Sequence, residues 1–200
     1  MKREMNKRKA QTGVRIIGGA LKRSKIDVLE REGLRPTPDR VRETLFNWLM
    51  PALPGAIVID CFAGSGVLGL EALSRGAARC TFIEKDRALA NQLQNNLDRF
   101  QLKSQADVTQ ADVFQVAEEI LQGADIIFAD PPFHQGMSQL FLTWIRDKVQ
   151  PDSRLVIEHE RNQDLDLQGF EVIRELKAGI DWLRFCLLYT SPSPRDLSTS

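Results

Sequence analysis

Short apolar strands alternate with helical segments from residue 56 to 158, and this alternation constrains the fold more than any other feature. Apolar runs predict strands at 57–60, 80–84, 107–110, 124–129 and 155–158. The patterns between them predict helices at 67–75, 86–100, 113–121 and 137–149. Parallel strands need such crossover helices, so we predict an α/β fold with a doubly wound, mostly parallel sheet. A closing antiparallel pair brings the predicted sheet to seven strands, with runs at 170–175 and 182–187.

The residues ahead of the sheet predict a hairpin followed by a helix. Segments 14–17 and 26–29 are β-type runs that flank Gly18-Gly19 and a basic stretch, which indicates a β-hairpin. Thr37 is predicted to cap a helix that begins at Pro38. We therefore predict four parts: a disordered basic tail (1–13), a hairpin-and-helix extension (14–54), the α/β domain (55–188) and a disordered or non-native tail (189–200).

Charge is divided unevenly along the 200-residue chain, although its formal net charge is zero. Residues 1–42 hold 13 Lys and Arg against 5 Asp and Glu, whereas the remainder holds 14 against 22. A basic end on an acidic domain predicts a surface that binds a polyanion. The cations expected on ordered elements are Arg15, Lys22, Arg23, Arg35, Arg40 and Arg42.

Three sequence features predict a cytoplasmic protein. No apolar run reaches membrane-spanning length. The basic start is not followed by the apolar stretch of a secretory signal. The three cysteines are widely spaced and form neither a disulfide nor a metal-binding pattern, so we expect reduced core thiols.

A glycine-rich loop follows the first predicted strand of the sheet. Gly64-Ser65-Gly66-Val67-Leu68-Gly69 has the spacing of a dinucleotide fingerprint, and Glu84 lies 20 residues beyond Gly64. Such a loop lets the backbone approach a ligand at a helix N-terminus. Enzymes that use NAD and enzymes that use S-adenosylmethionine (SAM) both carry this pattern, so the loop alone leaves two cofactor classes open.

Three features favour SAM over NAD. Asp60 directly precedes the loop, where a carboxylate repels pyrophosphate but attracts an ammonium group. Asp112 precedes Val113 and Phe114, which suit the edge and face of an adenine. The fourth strand ends in a motif that has no role in hydride transfer. The residues predicted to bind the cofactor are Asp60, Phe62, Ala63, Gly64, Gly66, Glu84, Asp112, Val113 and Asp130.

That motif is Asp130-Pro131-Pro132-Phe133, at the carboxyl end of the predicted strand 124–129. Proline donates no backbone hydrogen bond and fixes φ, so the pair stops the strand and stiffens the loop. Ligands of open α/β sheets bind at this edge, where a carboxylate, rigid carbonyls and an aromatic ring suit a flat base with an exocyclic amine. We predict these four residues to be catalytic. His134 and His159 are expected to be solvated loop histidines.

With both motifs in place, the chain resembles the class I SAM-dependent methyltransferases, and more closely the RsmD family of bacterial 16S ribosomal RNA guanine-N2 methyltransferases. The resemblance runs from about residue 14 to 188 and implies a Rossmann-like fold. Its most specific block runs from Arg35-Pro36-Thr37 to Trp48-Leu49. One departure is the turn Ala20-Leu21-Lys22-Arg23, where the family usually carries a Trp-Arg-Gly-Arg-like sequence. The other matching blocks are 15–19, 60–66, 69–75 and 130–133.

The resemblance also implies a mechanism and a partner. The Asp130 carboxylate and the Pro131 carbonyl would accept the two N2–H groups of guanine, and Phe133 would stack on an unpaired or flipped-out base. No metal is needed for this chemistry. The implied partner is 16S rRNA within a 30S subunit or an assembly intermediate, held by the six cations named above. We expect a monomer with no membrane attachment.

Three other functions compete with this hypothesis. A DNA amino-methyltransferase acting on adenine or cytosine would use the same motif, but no target-recognition domain is evident in 200 residues. A non-catalytic SAM-binding factor in ribosome assembly would not need an intact motif at residues 130–133. A dehydrogenase is the remaining alternative.

Overall fold

The computed structural model describes residues 13–29, 38–132, 136–160, 163–178 and 181–188. The helices are α1 (Asp39–Leu49), α2 (Val67–Ser74), α3 (Arg87–Arg99) and α4 (Met137–Ile145). The strands, in chain order, are β1 (Val14–Arg15), β2 (Lys25–Ile26), β3 (Ile57–Asp60), β4 (Arg79–Glu84), β5 (Ala106–Gln110), β6 (Ile126–Ala129), β7 (Arg154–Glu160), β8 (Phe170–Ala178) and β9 (Asp181–Leu188).

Seven strands form one sheet in the order β5-β4-β3-β6-β7-β9-β8. Strands β3 to β7 pair in parallel, whereas β9 runs antiparallel to both β7 and β8. The predicted doubly wound, seven-stranded α/β fold is therefore confirmed. The chain moves outward from β3 to β4 and β5 and then crosses to β6 on the other side of β3. Ligands bind at such a switch point, beyond the carboxyl ends of the strands.

Hydrophobic clusters cover both faces of the sheet. Leu45 and Phe46 of α1 pack in one cluster with Val58 and Leu70, and Ile26 of the hairpin belongs to the same cluster. The second cluster, on the opposite face, includes residues of α4 and the segment after β5. The described residues of the predicted extension 14–54 thus belong to the main core, and they pack as a layer of the α/β domain.

The predicted hairpin forms, but its paired strands are shorter than the β-type runs that predicted it. Val14 pairs with Ile26 and Arg15 with Lys25 in antiparallel register. The Gly18-Gly19 pair packs against α2, where a Cβ added at Gly19 would lie 1.8 Å from the Ser74 carbonyl oxygen. Gly19 has a φ of +76°, which an L side chain rarely adopts. The two glycines therefore permit close docking of the hairpin.

Two details of the predicted helices are wrong. The segment 113–121 is not one helix but two 3₁₀ turns, Val113–Gln115 and Glu118–Ile120. Val116 and Ala117 are extended between them and interrupt the segment. Pro38 takes the capping position before α1 rather than the first helical position, and Thr37 lies outside the described residues.

The described residues contain neither a candidate membrane span nor a candidate metal cluster. No helix in these ranges is both long and apolar enough to span a membrane. Nor do these ranges contain a group of three or more His, Cys, Asp or Glu side chains arranged to hold a metal ion. The three cysteines, Cys61, Cys80 and Cys186, are buried free thiols.

Candidate active site

Four acidic residues lie at or just after the carboxyl ends of neighbouring parallel strands. Asp60 ends β3 and Glu84 ends β4, while Asp112 follows β5 and Asp130 directly follows β6. The sheet order brings β3 and β6 side by side, with Asp60 opposite Phe128 in the register. The sheet therefore gathers the predicted cofactor residues and the Asp130 motif at one edge.

The glycine loop between β3 and α2 has a tightly turned backbone. Gly64 and Gly66 have φ values of +53° and +74°. Gly66 caps α2, and a Cβ added there would lie 2.3 Å from Cδ1 of Leu93 on α3. The N–H of Ala63 donates to the Ile83 carbonyl at 3.0 Å, which ties the loop to β4. These positive φ values favour glycine, and the loop places the N-terminus of α2 at the sheet edge.

Asp60 is almost completely buried, with 2% of its surface exposed. Its Oδ2 accepts a hydrogen bond from the Gly69 N–H at 3.2 Å, inside the first turn of α2. Burial raises the pKa of Asp60 to about 7; the Gly69 hydrogen bond opposes this shift, and the nearby Glu84 adds to it. One oxygen of Asp60 is thus tied to the first turn of α2, and its pairing with an ammonium group remains a prediction.

Glu84 faces the glycine loop from the end of β4. Its Oε2 accepts from the Gly64 N–H at 2.7 Å, and its Oε1 accepts from the Asp86 N–H at 2.7 Å. Asp86 in turn caps α3 by accepting from the N–H of Ala88. The Glu84 carboxylate thus lies between the loop and the start of α3, a position suited to accept hydrogen bonds from ribose hydroxyls.

An acidic residue and several apolar side chains follow β5. Asp112 accepts from Lys85 Nζ at 2.7 Å and from the Phe114 N–H at 3.2 Å. The hydrogen bond from Lys85 is the main reason that the pKa of Asp112 lies below its usual range. Val113 is buried, and Phe114 packs edge-on against Trp144 with ring centroids 5.4 Å apart. Together with the loop, the Asp112 and Glu84 carboxylates as hydrogen-bond acceptors and this apolar wall fit an adenosyl cofactor.

The predicted catalytic motif begins where β6 ends. Every residue of β6 is buried, Asp130 is partly exposed, Pro131 is buried and Pro132 is exposed. Asp130 therefore comes to the surface of the sheet edge directly from the core. Phe133 and His134 lie outside the described residues.

His159 is not the solvated loop histidine that the sequence predicted. Its side chain is fully buried in β7, Nδ1 lies 2.9 Å from the Glu160 carbonyl oxygen, and the ring packs edge-on against Trp182. Burial is the main cause that lowers its pKa, so the imidazole is neutral at neutral pH. His159 is a core residue of the strand next to β6.

The predicted RNA-binding cations divide into exposed and buried groups. Arg15, Lys22, Arg23 and Arg40 are exposed, and Arg35 lies outside the described residues.

Arg42 requires a correction, because its side chain is fully buried. It donates to the Arg15 carbonyl at 3.0 Å and to Asp39 at 2.6 Å, and its Nη1 lies 3.7 Å from Glu71 Oε2. A guanidinium enclosed in this way has no surface to offer a phosphate. The sequence could not separate Arg42 from the surface cations, because a buried ion pair leaves no hydrophobic signal.

The sequence analysis did not identify the residues that hold the hairpin. Glu71 and Ser74 on α2 and Asn96 on α3 are all buried, and each hydrogen-bonds to backbone atoms of residues 17–27. One signal was available: Glu71 is the single acidic residue in the otherwise apolar or small run Val67–Ser74. Burying a carboxylate in such a helix requires partners elsewhere in the fold.

Comparison with solved structures defines the class of fold. The Escherichia coli protein yhhF is 38% identical with a TM-score of 0.78, and the match covers 90% of this chain and 99% of that protein. An RNA methyltransferase from Salinibacter ruber, solved with S-adenosyl-L-homocysteine (SAH), is only 17% identical but has a TM-score of 0.65 over 80% of this chain and 97% of its own. The fold is the Rossmann-like fold of the SAM-dependent methyltransferases.

Sequence comparison then identifies the family. Residues 14–187 match the family described as Conserved hypothetical protein 95. A ribosomal RNA small subunit methyltransferase D from Haemophilus influenzae is 39% identical over 177 residues, which is 86% of this chain and 92% of that protein. The chain belongs to the family of ribosomal RNA small subunit methyltransferase D, as the resemblance of its motifs predicted.

Proposed function

We propose that this protein transfers a methyl group from SAM to the exocyclic N2 amine of a guanine in 16S rRNA. Membership of the family supports the coarser part, which is SAM-dependent methylation of small-subunit rRNA. The choice of an exocyclic amine, and of guanine N2 in particular, rests on the motif that begins at Asp130.

The cofactor is SAM, whose contribution when bound is an electrophilic methyl group. The residues of this chain provide its pocket. Gly64 and Gly66 bring the backbone close, Glu84 accepts from the ribose, and Asp112 with Val113 lines the adenine. Asp60 is buried beneath the loop and keeps it in this shape through the Gly69 N–H.

One observation carries the proposed chemistry: Asp130 emerges from the buried strand β6 next to β3 and its cofactor loop. Guanine N2 is a weak nucleophile because its lone pair is delocalised into the ring. In the proposed mechanism, the Asp130 carboxylate and the Pro131 carbonyl accept its two N–H groups. These hydrogen bonds orient the lone pair and favour the positive charge that develops on nitrogen. Phe133 stacks on the flipped-out base.

The substrate is 16S rRNA in a 30S subunit or assembly intermediate, which a cytoplasmic monomer would meet. Arg15, Lys22, Arg23 and Arg40 are exposed and would contact phosphates. Arg35 remains in the proposed set on the basis of its sequence position alone, and Arg42 leaves it because it is buried.

Product analysis tests this proposal. Labelled SAM would be incubated with 30S particles, naked 16S rRNA and DNA, followed by digestion to nucleosides. N2-methylguanosine from rRNA is the expected product. Label in N6-methyladenine or N4-methylcytosine from DNA would favour a DNA amino-methyltransferase. Tight SAH binding without any transfer would favour a non-catalytic assembly factor, and tighter binding of NAD than of SAH would favour a dehydrogenase.

A further inference from the structure

Both helices that begin at the cofactor pocket contact the basic hairpin with their final turns. α2 begins at Gly66 of the glycine loop, and α3 begins after Asp86, which hydrogen-bonds to Glu84. At a rise of 1.5 Å per residue, their 8 and 13 residues span about 12 and 20 Å. The pocket and the hairpin are therefore joined by two short, continuous helices.

Glu71 makes the most strongly buried contact from α2 to the hairpin. Its side chain is fully buried, and its two carboxylate oxygens accept from the N–H groups of Ile17 and Gly18, each at 2.8 Å. Arg75 Nε donates to the same carboxylate at 2.7 Å. Charge-assisted hydrogen bonds of this kind are strong and directional, so they fix the hairpin backbone to the last turn of α2.

Ser74 fixes the hairpin to the end of α2. Its hydroxyl accepts from the Leu21 N–H at 2.9 Å and donates to the Gly18 carbonyl. Its backbone carbonyl accepts from the Ala20 N–H at 2.7 Å. These bonds hold the turn that displays Lys22 and Arg23.

The other hairpin strand is fixed to α3. Asn96 donates to the Asp27 carbonyl at 3.0 Å and accepts from the Asp27 N–H at 3.3 Å. Arg99 pairs with the Asp27 carboxylate at 2.9 Å and also donates to the Lys25 carbonyl. The hairpin is thus tied on one side to α2 and on the other side to α3.

We propose that α2 and α3 form a rigid clamp that fixes the RNA-binding hairpin at a set distance from the acceptor site, so that Glu71, Ser74 and Asn96 are positioning residues that select the nucleotide. This inference rests on the proposed function. When Lys22 and Arg23 hold the RNA, only a nucleotide at the distance between the hairpin and Asp130 can reach the acceptor site. A hairpin on a mobile linker would bind RNA without selecting a nucleotide in this way.

The test compares two serines that differ in location but not in chemistry. Ser74 and Ser153 are both buried, with 5% and 2% of their surfaces exposed. Ser153 donates to the Ala124 carbonyl at 2.8 Å, and Ala124 belongs to the second hydrophobic cluster, whereas the hairpin belongs to the first. Ser74→Ala and Ser153→Ala would be prepared in the full chain. Each would be measured for KM and kcat on 30S particles, SAH affinity, thermal unfolding and hydrogen exchange of residues 14–27.

We expect Ser74→Ala to raise the KM for 30S particles by about 3- to 10-fold, because hydrogen bonds to the hairpin are lost. It should speed amide exchange in residues 14–27 and produce label at additional guanines, whereas SAH affinity stays within about twofold. Ser153→Ala should lower thermal stability to a similar degree without any of these changes. Glu71→Gln should act in the same direction as Ser74→Ala and more strongly, since it removes a charged acceptor.

Equal KM values and equal product patterns for the two serine variants would overturn the clamp. Should Ser74→Ala fail to fold, Asn96→Ala provides the same comparison from the α3 side. Failure of the proposed function is recognised separately, because the wild-type protein would then not methylate rRNA at all. In that case hydrogen exchange still decides the structural part: no difference between Ser74→Ala and Ser153→Ala in residues 14–27 would overturn it.

Discussion

Two aspartates at the ends of neighbouring strands occupy opposite environments. Asp60 is enclosed beneath the glycine loop and bonded to Gly69, whereas Asp130 is partly exposed where β6 leaves the core. Desolvation penalises a charge on Asp60 in the cofactor-free protein, and its hydrogen bond to Gly69 ties the end of β3 to α2. Asp130 is partly exposed at the sheet edge, so the proposed chemistry is placed on Asp130 rather than on the buried Asp60.

The first prediction concerns Asp130. Asp130→Ala should lower kcat by roughly 10²–10³-fold, the scale for losing one preorganised electrostatic group at a reacting centre. SAH affinity should change far less, because Glu84 and the glycine loop remain. The measurement is steady-state methylation of 30S particles, with calorimetry of SAH binding to the same variant. Nearly intact turnover in a folded variant would refute the role of Asp130 as an amine acceptor.

The second prediction concerns pH and Asp60 in the cofactor-free protein. The pKa of Asp60 is about 7 in the folded state, against about 3.9 for an unfolded aspartate. Between these values the folded protein binds more protons than the unfolded chain. The contribution of Asp60 to the free energy of unfolding therefore falls as the pH rises from about 4 to about 7, and it is constant above that range.

Asp60→Asn provides the measurement. Asparagine retains an acceptor for the Gly69 N–H but has no charge to bury. Thermal unfolding should show that the variant gains stability relative to wild type between about pH 5 and about pH 8. A stability difference that is the same at both pH values would show that Asp60 does not titrate in this range.

At the scale of elements, α2 connects the predicted cofactor pocket with the hairpin that is proposed to bind RNA. Its N-terminus is the Gly66 cap of the cofactor loop, and its C-terminal half holds the hairpin through Glu71 and Ser74. Gly18 and Gly19 allow this contact. A Cβ added at Gly18 would lie 2.5 Å from the Arg75 guanidinium, and one at Gly19 would meet the helix backbone. The two glycines are therefore needed more for the packing of the hairpin against α2 than for the reversal of the chain.

The third prediction tests this docking. Gly19→Ala should reduce the free energy of unfolding by more than Gly123→Ala does. Both glycines have a φ of +76°, but a Cβ at Gly123 has nothing within 4 Å. The shared backbone strain is worth about 1–2 kcal/mol, so any excess for Gly19 reports the clash with Ser74. Denaturant unfolding measures both variants, and equal losses would contradict the docked arrangement.

Hydrophobic periodicity in the sequence was enough to predict the sheet, its closing pair and the placement of the glycine loop. Binding of the cofactor by those residues remains a prediction. Hydrophobic periodicity did not predict the environment of polar side chains that are buried. Arg42 was predicted to face RNA, and the role of Glu71 was not predicted, because an ion pair between two elements leaves no periodic signal in either one. The single helix predicted at 113–121 failed because apolar residues pack equally well from two 3₁₀ turns.

At the scale of the whole molecule, charge is divided between a basic N-terminal segment and an acidic remainder. The basic residues of the first 42 positions oppose an acidic remainder, and the hairpin fixes Lys22 and Arg23 at an exposed turn. RNA would therefore be held at the hairpin, while an acidic domain presents its pocket to one nucleotide. This division of charge agrees with the proposed clamp of α2 and α3. A hairpin that binds RNA can select a nucleotide only if it lies at a fixed distance from the pocket.

The fourth prediction measures that anchor. Replacing Lys22 and Arg23 together by Ala should reduce the steepness of log K against log salt by up to about 1.8, at about 0.7–0.9 for each phosphate contact. The control is Lys148→Ala, in the segment after α4 on the opposite face of the sheet, where Lys148 pairs with Glu118. It should leave the slope unchanged. Identical slopes for wild type and the double variant would mean that the hairpin does not contact phosphates.

The most direct test of the account uses inosine, which differs from guanosine only in lacking the exocyclic N2 amine. Once product mapping has located the methylated guanosine, 30S particles would be reconstituted with inosine at that position and incubated with labelled SAM. The account predicts that transfer falls to background while the affinity for the particle is retained. Labelling of the inosine particle at the rate of the guanosine particle would place the methyl group on another atom and contradict the assignment of Asp130 and Pro131 to the N2 amine.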